Sequence, residues 1–122
     1  MDEKAILLVV DDMHMACKSL ADILRLDGYE VKTATSGQDA LKIFEEHKID
    51  CVLTDIKMPT MNGVELLREI KEVAPEVPVM MMTAYATDRL VEDGIRAGAL
   101  LTLYKPLDIN NLRKQIALAV QG

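Results

Sequence analysis

Five residues of this 122-residue chain carry side chains that could do chemistry together: Asp11, Asp12, Asp55, Thr83 and Lys105. Each follows a short apolar run: Ala5–Val10, Cys51–Thr54, Val77–Met82 and Leu100–Tyr104 in turn. Three carboxylates brought together repel one another, so they need a cation or a raised pKa. A hard divalent ion, Mg²⁺ or Mn²⁺, answers that need. Mg²⁺ takes one or two carboxylates, keeps several waters, and accepts phosphate oxygens as remaining ligands. A lysine ammonium and a threonine hydroxyl opposite the acids complete a clamp for a tetrahedral dianion. One carboxylate would then be a nucleophile that forms an acyl phosphate.

Each residue alone has a plainer explanation. Adjacent aspartates at a strand end make turns and helix caps. Asp55 can cap a loop, threonine suits strand ends, and a lone lysine is commonly a solvated charge. What argues for a site is that all five fall at one kind of position.

That position follows from the elements. Ala5–Val10 is a continuous apolar run, as in a strand buried on both faces. Glu30–Ala34 alternates and suits an edge strand; Cys51–Thr54, Val77–Met82 and Leu100–Tyr104 complete five strands, with Pro78 tolerated near a strand start. Between them, Cys17, Leu20, Ala21 and Leu24 follow helical spacing, as do Gly37, Ala40, Leu41 and Phe44 after a Ser36 cap. Val64, Leu67 and Ile70 carry a third helix ended by Pro75. A weaker fourth helix is expected over residues 86–97, with Gly94 inside it. Asp108 caps a fifth that buries Ile109, Leu112, Ile116 and Ala119. Strand alternating with helix predicts a parallel sheet covered on both faces. In such doubly wound sheets the functional crevice lies at the carboxyl ends of the strands, where all five residues are expected.

Bulk properties narrow the classes. The length suits one domain spanning residues 1–122. No apolar run approaches the ~20 residues of a membrane helix. The charged start Met1-Asp2-Glu3-Lys4 has no signal-peptide pattern, so a cytoplasmic location is expected. A net charge of −6 argues against direct nucleic-acid binding. Cys17 and Cys51 sit in apolar stretches without CxxC spacing and are expected to be buried thiols. The Met80–Met82 run is expected to be core filling. His14 and His47 are expected at the surface.

The motifs together resemble the response-regulator receiver domain, and the resemblance covers essentially the whole chain. Its carriers are Leu8-Val9-Val10-Asp11-Asp12, Asp55-Ile56-Lys57-Met58-Pro59-Thr60-Met61-Asn62-Gly63, Met82-Thr83-Ala84 and Lys105-Pro106. The resemblance implies a flavodoxin-like, doubly wound five-stranded parallel sheet in the order 2-1-3-4-5 with five helices. It implies that Asp55 accepts a phosphoryl group from a sensor histidine kinase. Asp11, Asp12, Asp55 and the Lys57 backbone carbonyl would hold Mg²⁺ (or Mn²⁺). Thr83 would hydrogen-bond the phosphoryl group and Lys105 would pair with it, with Met58, Pro59 and Gly63 shaping the loop and the Lys105–Pro106 peptide cis. Such a chain is a switch rather than a conventional enzyme. It assists its own phosphorylation and dephosphorylation, and acts on an output domain or protein outside these residues. The stretch Met82–Ala86 resembles receivers attached to transcriptional activators.

Three departures from the family pattern bear on signalling. Thr102 stands where the family places its switch aromatic, and Tyr104 lies on the same strand face. Leu100-Leu101 replaces polar residues, which adds core or an apolar contact, including a homodimer through the fourth helix, fifth strand and fifth helix. Lys57 and Tyr85 flank the expected path of hydrolytic water and should slow loss of the phosphoryl group, Lys57 by pairing with it.

Two other functions compete. A constitutive interaction module would not need the full acidic, hydroxyl and lysine set. A nucleotide- or flavin-binding protein or phosphohydrolase would want a glycine-rich phosphate loop, where Met13-His14-Met15 stands instead.

Overall fold

A computed structural model describes residues 4–85 and 87–121. The strands are β1 (Ile6–Val10), β2 (Glu30–Ala34), β3 (Cys51–Asp55), β4 (Val79–Thr83) and β5 (Leu101–Tyr104). The helices alternate with them: α1 (His14–Leu26), α2 (Gly37–Glu46), α3 (Gly63–Val73), α4 (Arg89–Ala97) and α5 (Ile109–Gln121). All pairings are parallel, in the order β2-β1-β3-β4-β5. The sheet therefore has the order expected of a flavodoxin-like doubly wound fold, and Glu30–Ala34 is an edge strand as predicted.

Strand alternation divides the core in two. Leu8, Val10, Val52, Val79 and Met81 pack with Ala40, Val64, Leu67, Ile70 and Val91, on the side of α2, α3 and α4. Leu7, Val9, Leu53, Met80 and Met82 pack with Cys17, Leu20, Ala21, Leu24, Leu112 and Ile116, on the side of α1 and α5. Burying one such Leu or Ile contributes about 1.5–3 kcal/mol. The methionine run is core filling, split between the two faces, and both cysteines are buried and free. Leu101 packs against the α1/α5 side of the core, whereas Leu100 is half exposed, so the pair divides between core and surface.

Helix caps set the rim. Ser36 accepts the Asp39 N–H, and Asp108 accepts the Asn111 N–H, both as expected. Asn62 opens α3 with a reciprocal capping box to Glu65. The fourth helix departs from expectation: it starts at Arg89 because Asp88 caps it, accepting the Leu90 N–H at 2.9 Å. The expectation for residues 86–97 thus placed the start too early, and Ala86 lies outside the described residues, as do Met1–Glu3 and Gly122. Among the described residues no helix is long and apolar enough to cross a membrane.

Candidate functional site

Parallel strands end together, and their ends deliver the predicted residues to one rim. Asp11 and Asp12 follow β1, Asp55 and Thr83 are the last residues of β3 and β4, and Lys105 follows β5. Asp55 thus closes its strand rather than following it, paired in register with Met82. Asp11 and Asp55 are only 3 % and 9 % exposed, while Asp12 faces solvent. Each of the three offers a carboxylate oxygen within 4.8 Å of the others. That spacing and all-oxygen donor set fit one hard divalent cation.

Lys105 supplies positive charge to the cluster. Its Nζ donates to Asp11 Oδ2 at 3.2 Å and lies 3.5 Å from Asp55 Oδ2. The pairing is asymmetric. Burial pushes the Asp55 carboxyl above its usual range; Lys105 pulls it back, and Asp11 and Asp12 push it up again. Burial by itself would lower the Lys105 pKa, but the Asp55 and Asp11 charges outweigh it and hold it above the ordinary value. Asp11 also accepts the Met13 N–H at 3.0 Å, so it shapes the turn into α1 as well as facing the cluster.

Loop geometry fixes the position of Asp55. The Gly63 N–H donates to the Ile56 carbonyl at 2.7 Å, closing the loop from β3 into α3. A Cβ on Gly63 would run into the Asp55 carbonyl oxygen and come within 2.9 Å of Ile56 Cα. Thr54, fully buried, donates its hydroxyl to the same Asp55 carbonyl at 3.0 Å. Thr60 turns the loop at φ +70°, a left-handed conformation unusual for a β-branched residue. The Lys105–Pro106 peptide is cis, as expected.

At the end of β4, between the strands that carry Asp55 and lead to Lys105, Thr83 Oγ1 accepts the Tyr85 N–H at 3.0 Å. The hydroxyl proton is not used by that bond. Thr102 pairs in register with Met81, and Tyr104 with Thr83. The Thr102 hydroxyl is buried with no partner among the described residues, whereas Tyr104 is half exposed. Lys57 pairs with the segment after β4. Its Nζ sits 2.9 Å from Asp88 Oδ2 and 5.3 Å from the centre of the Tyr85 ring. The hydrogen bond to Asp88 raises the Lys57 pKa, and the same bond lowers that of Asp88, helped by the Leu90 N–H.

His14 and His47 are exposed, as expected. Asp88 and Thr54 were missed in the sequence. Asp88 carried a usable signal, an aspartate just before the Leu90-Val91 apolar pair; Thr54 inside an apolar strand carried none.

Comparison with known proteins agrees with this geometry. The response regulator receiver domain family matches residues 7–117. The transcriptional regulatory protein ZraR of Escherichia coli (strain K12) is 41 % identical over 114 residues, 93 % of this chain but only 26 % of ZraR. The chain thus spans about a quarter of that relative's length. Sporulation initiation phosphotransferase F of Bacillus subtilis (strain 168) is 34 % identical over 116 residues, 95 % of this chain and 92 % of that protein. A response regulator receiver domain protein from Clostridium thermocellum superposes with a TM-score of 0.90 at 35 % identity, over 96 % of this chain and 94 % of that one. A CheY-like receiver domain protein from Methanospirillum hungatei JF-1 gives 0.93 at 30 % identity, over 98 % and 95 %. A family match over residues 7–117, with fold and sequence similarity of this extent, has one explanation: the chain belongs to the response regulator receiver domain family.

Proposed function

We propose that this chain is a phosphorylation switch whose acceptor is Asp55, charged by a sensor histidine kinase and read by an output domain or protein. The observation that carries the reading is the Asp55 environment. A nearly buried carboxylate at a strand end shares one lysine with Asp11 and stands within 4.8 Å of carboxylate oxygens of Asp11 and Asp12. A relative named as a phosphotransferase and one named as a transcriptional regulator both support it.

In the transfer, an Asp55 carboxylate oxygen attacks phosphorus and forms the acyl P–O bond. The P–N bond of the kinase phosphohistidine breaks, and the imidazole keeps the bonding pair. Lys105 then pairs with the phosphoryl oxygens. Thr83 donates the hydroxyl proton that its bond with the Tyr85 N–H leaves free. Asp11, Asp12, Asp55 and the Lys57 backbone carbonyl would hold Mg²⁺ or Mn²⁺, which when bound neutralises charge building up on the phosphoryl oxygens. Hydrolysis of the acyl phosphate at the same rim resets the switch. The chain acts in the cytoplasm as one receiver unit. A second copy is a further partner, through α4, β5 and α5; the exposed Ile95, Leu100, Tyr104 and Leu118 support that face. Sedimentation that stays monomeric after phosphorylation would remove it.

The test is incubation with Mg²⁺ and acetyl phosphate, followed by mass spectrometry. A phosphoryl adduct on the Asp55 peptide, lost on chelation and in Asp55→Asn, is expected. An unmodified wild-type chain, or equal labelling of Asp55→Asn, overturns the reading.

A further inference from the structure

Two lysines border the acceptor, and the structure divides them. Lys105 is committed to Asp11 and Asp55. Lys57, two residues after Asp55, is instead held by Asp88 at 2.9 Å, with the Tyr85 ring 5.3 Å from its ammonium. Both anchors belong to the segment between β4 and α4. The Asp88 carboxylate is fully engaged. Oδ1 accepts the Leu90 N–H that opens α4, and Oδ2 takes the Lys57 ammonium. One side chain therefore ties the acceptor loop to the first turn of the fourth helix.

We infer that Asp88 is a positioning residue that withholds Lys57 from the phosphoryl group on Asp55, and that phosphorylation competes with Asp88 for this lysine. The inference rests on Asp55 being the acceptor. Phosphorylation turns the Asp55 monoanion into a dianion and adds three acceptor oxygens next to the Lys57 backbone. The Lys57 side chain is more than half exposed; it is held by one ion pair, to an Asp88 carboxylate only 13 % exposed, and by one cation–π contact, and its flexible stem can exchange both for a nearby dianion. When Lys57 turns to the phosphoryl group, Asp88 keeps its cap bond and loses its counter-charge. The first turn of α4 is then released from the β3–α3 loop. The device links the acceptor to α4 without the aromatic that Thr102 replaces.

Asp88→Asn separates the two jobs, because an asparagine amide oxygen still caps a helix while the charge is gone. The probe is the acyl phosphate formed with acetyl phosphate and Mg²⁺. Lys57, freed toward the phosphoryl group, should shield it, so Asp88→Asn is expected to lengthen its half-life about two- to fivefold, the range of an ion pair made by a solvent-accessible lysine. Lys57→Gln, made at an exposed position, is expected to shorten it. In the double variant the Asp88→Asn effect should vanish, since only Lys57 transmits it. Amide exchange at residues 89–91 should rise in wild type on phosphorylation and stay unchanged in Lys57→Gln. An unaltered half-life in Asp88→Asn, or an equal lengthening with and without Lys57, overturns the inference while Asp55 labelling still stands. Absence of any adduct on the wild-type chain overturns the acceptor reading, and the latch with it.

Discussion

Gly63 packs its α-carbon directly against the backbone of Asp55, with space for a hydrogen and none for a methyl. The atoms in the way are backbone, the Asp55 carbonyl oxygen and Ile56 Cα, so no side chain can swing aside. Gly63→Ala must therefore displace the end of β3 or the start of α3. We expect a loss of about 1–3 kcal/mol, typical of overpacking, and at least a tenfold drop in phosphoryl incorporation from acetyl phosphate. Gly94→Ala crowds the flexible end of Met81 and meets Val64 Cγ2 at ordinary contact distance, with no backbone in the way, so its labelling should stay near wild type. Equal labelling of Gly63→Ala and wild type would refute the positional role.

Ionised Asp55 is a burden on the metal-free fold. Its folded pKa lies above the ordinary 3.8, chiefly through burial, so the folded state binds that proton more tightly than the unfolded chain does. Its contribution to stability is therefore greatest at low pH and declines as pH rises from about 3.8 through the folded value. Removing the charge should help at neutral pH. In chelator, Asp55→Asn is expected to melt a few degrees above wild type, and Mg²⁺ should stabilise wild type more than the variant. An Asp55→Asn protein that melts lower than wild type in chelator contradicts this electrostatic account.

Thr60 occupies the left-handed region at φ +70°, which costs a β-branched side chain energy that asparagine largely avoids. Thr60→Asn should raise stability by about 1 kcal/mol in denaturant titration, with phosphoryl incorporation unchanged. A neutral or lower midpoint would place the strain elsewhere.

Thr102 buries a hydroxyl that finds no partner among the described residues. An unmet buried hydroxyl costs about 1–3 kcal/mol, so Thr102→Val, of nearly the same shape, should stabilise the chain. Calorimetry showing a loss would mean that the hydroxyl is satisfied in solution.

Both thiols should be silent in the native state. Burial pushes Cys51 up to about 12, and burial likewise raises Cys17, whose Sγ lies 3.4 Å from the Val9 carbonyl. Because the thiolate is the reactive form, iodoacetamide at neutral pH should label neither cysteine until denaturant unfolds the chain. Rapid native labelling of either would indicate local opening.

The sheet and its rim were legible because burial on both faces leaves a plain signature. Val9, Val52 and Met80 sit in unbroken apolar runs, and chemistry-bearing residues stand where those runs stop. Asp11, Asp12, Asp55, Thr83 and Lys105 were all found that way, and the structure brings them to one rim. Less legible was the flank near α4. Few apolar residues mark that helix, so its start was set too early and Asp88 was read as interior rather than as its cap. The Lys57 side chain was read only as a partner for a phosphoryl group, and its pairing with Asp88 and position over Tyr85 went unread. A pair between two loops far apart in sequence leaves no periodicity to detect. Its existence depends on how β3 and β4 lie side by side.

The shared carboxylate of Asp88 has a thermodynamic corollary. Any protein that grips the first turn of α4 acts on the same side chain that holds Lys57. Binding free energies around a closed cycle must balance, so whatever bias phosphorylation gives to that protein is returned to the phosphorylation equilibrium by the same factor. A target that prefers the released helix would make the phosphorylated form more stable. The receiver would then report the presence of its listener as well as the activity of its kinase.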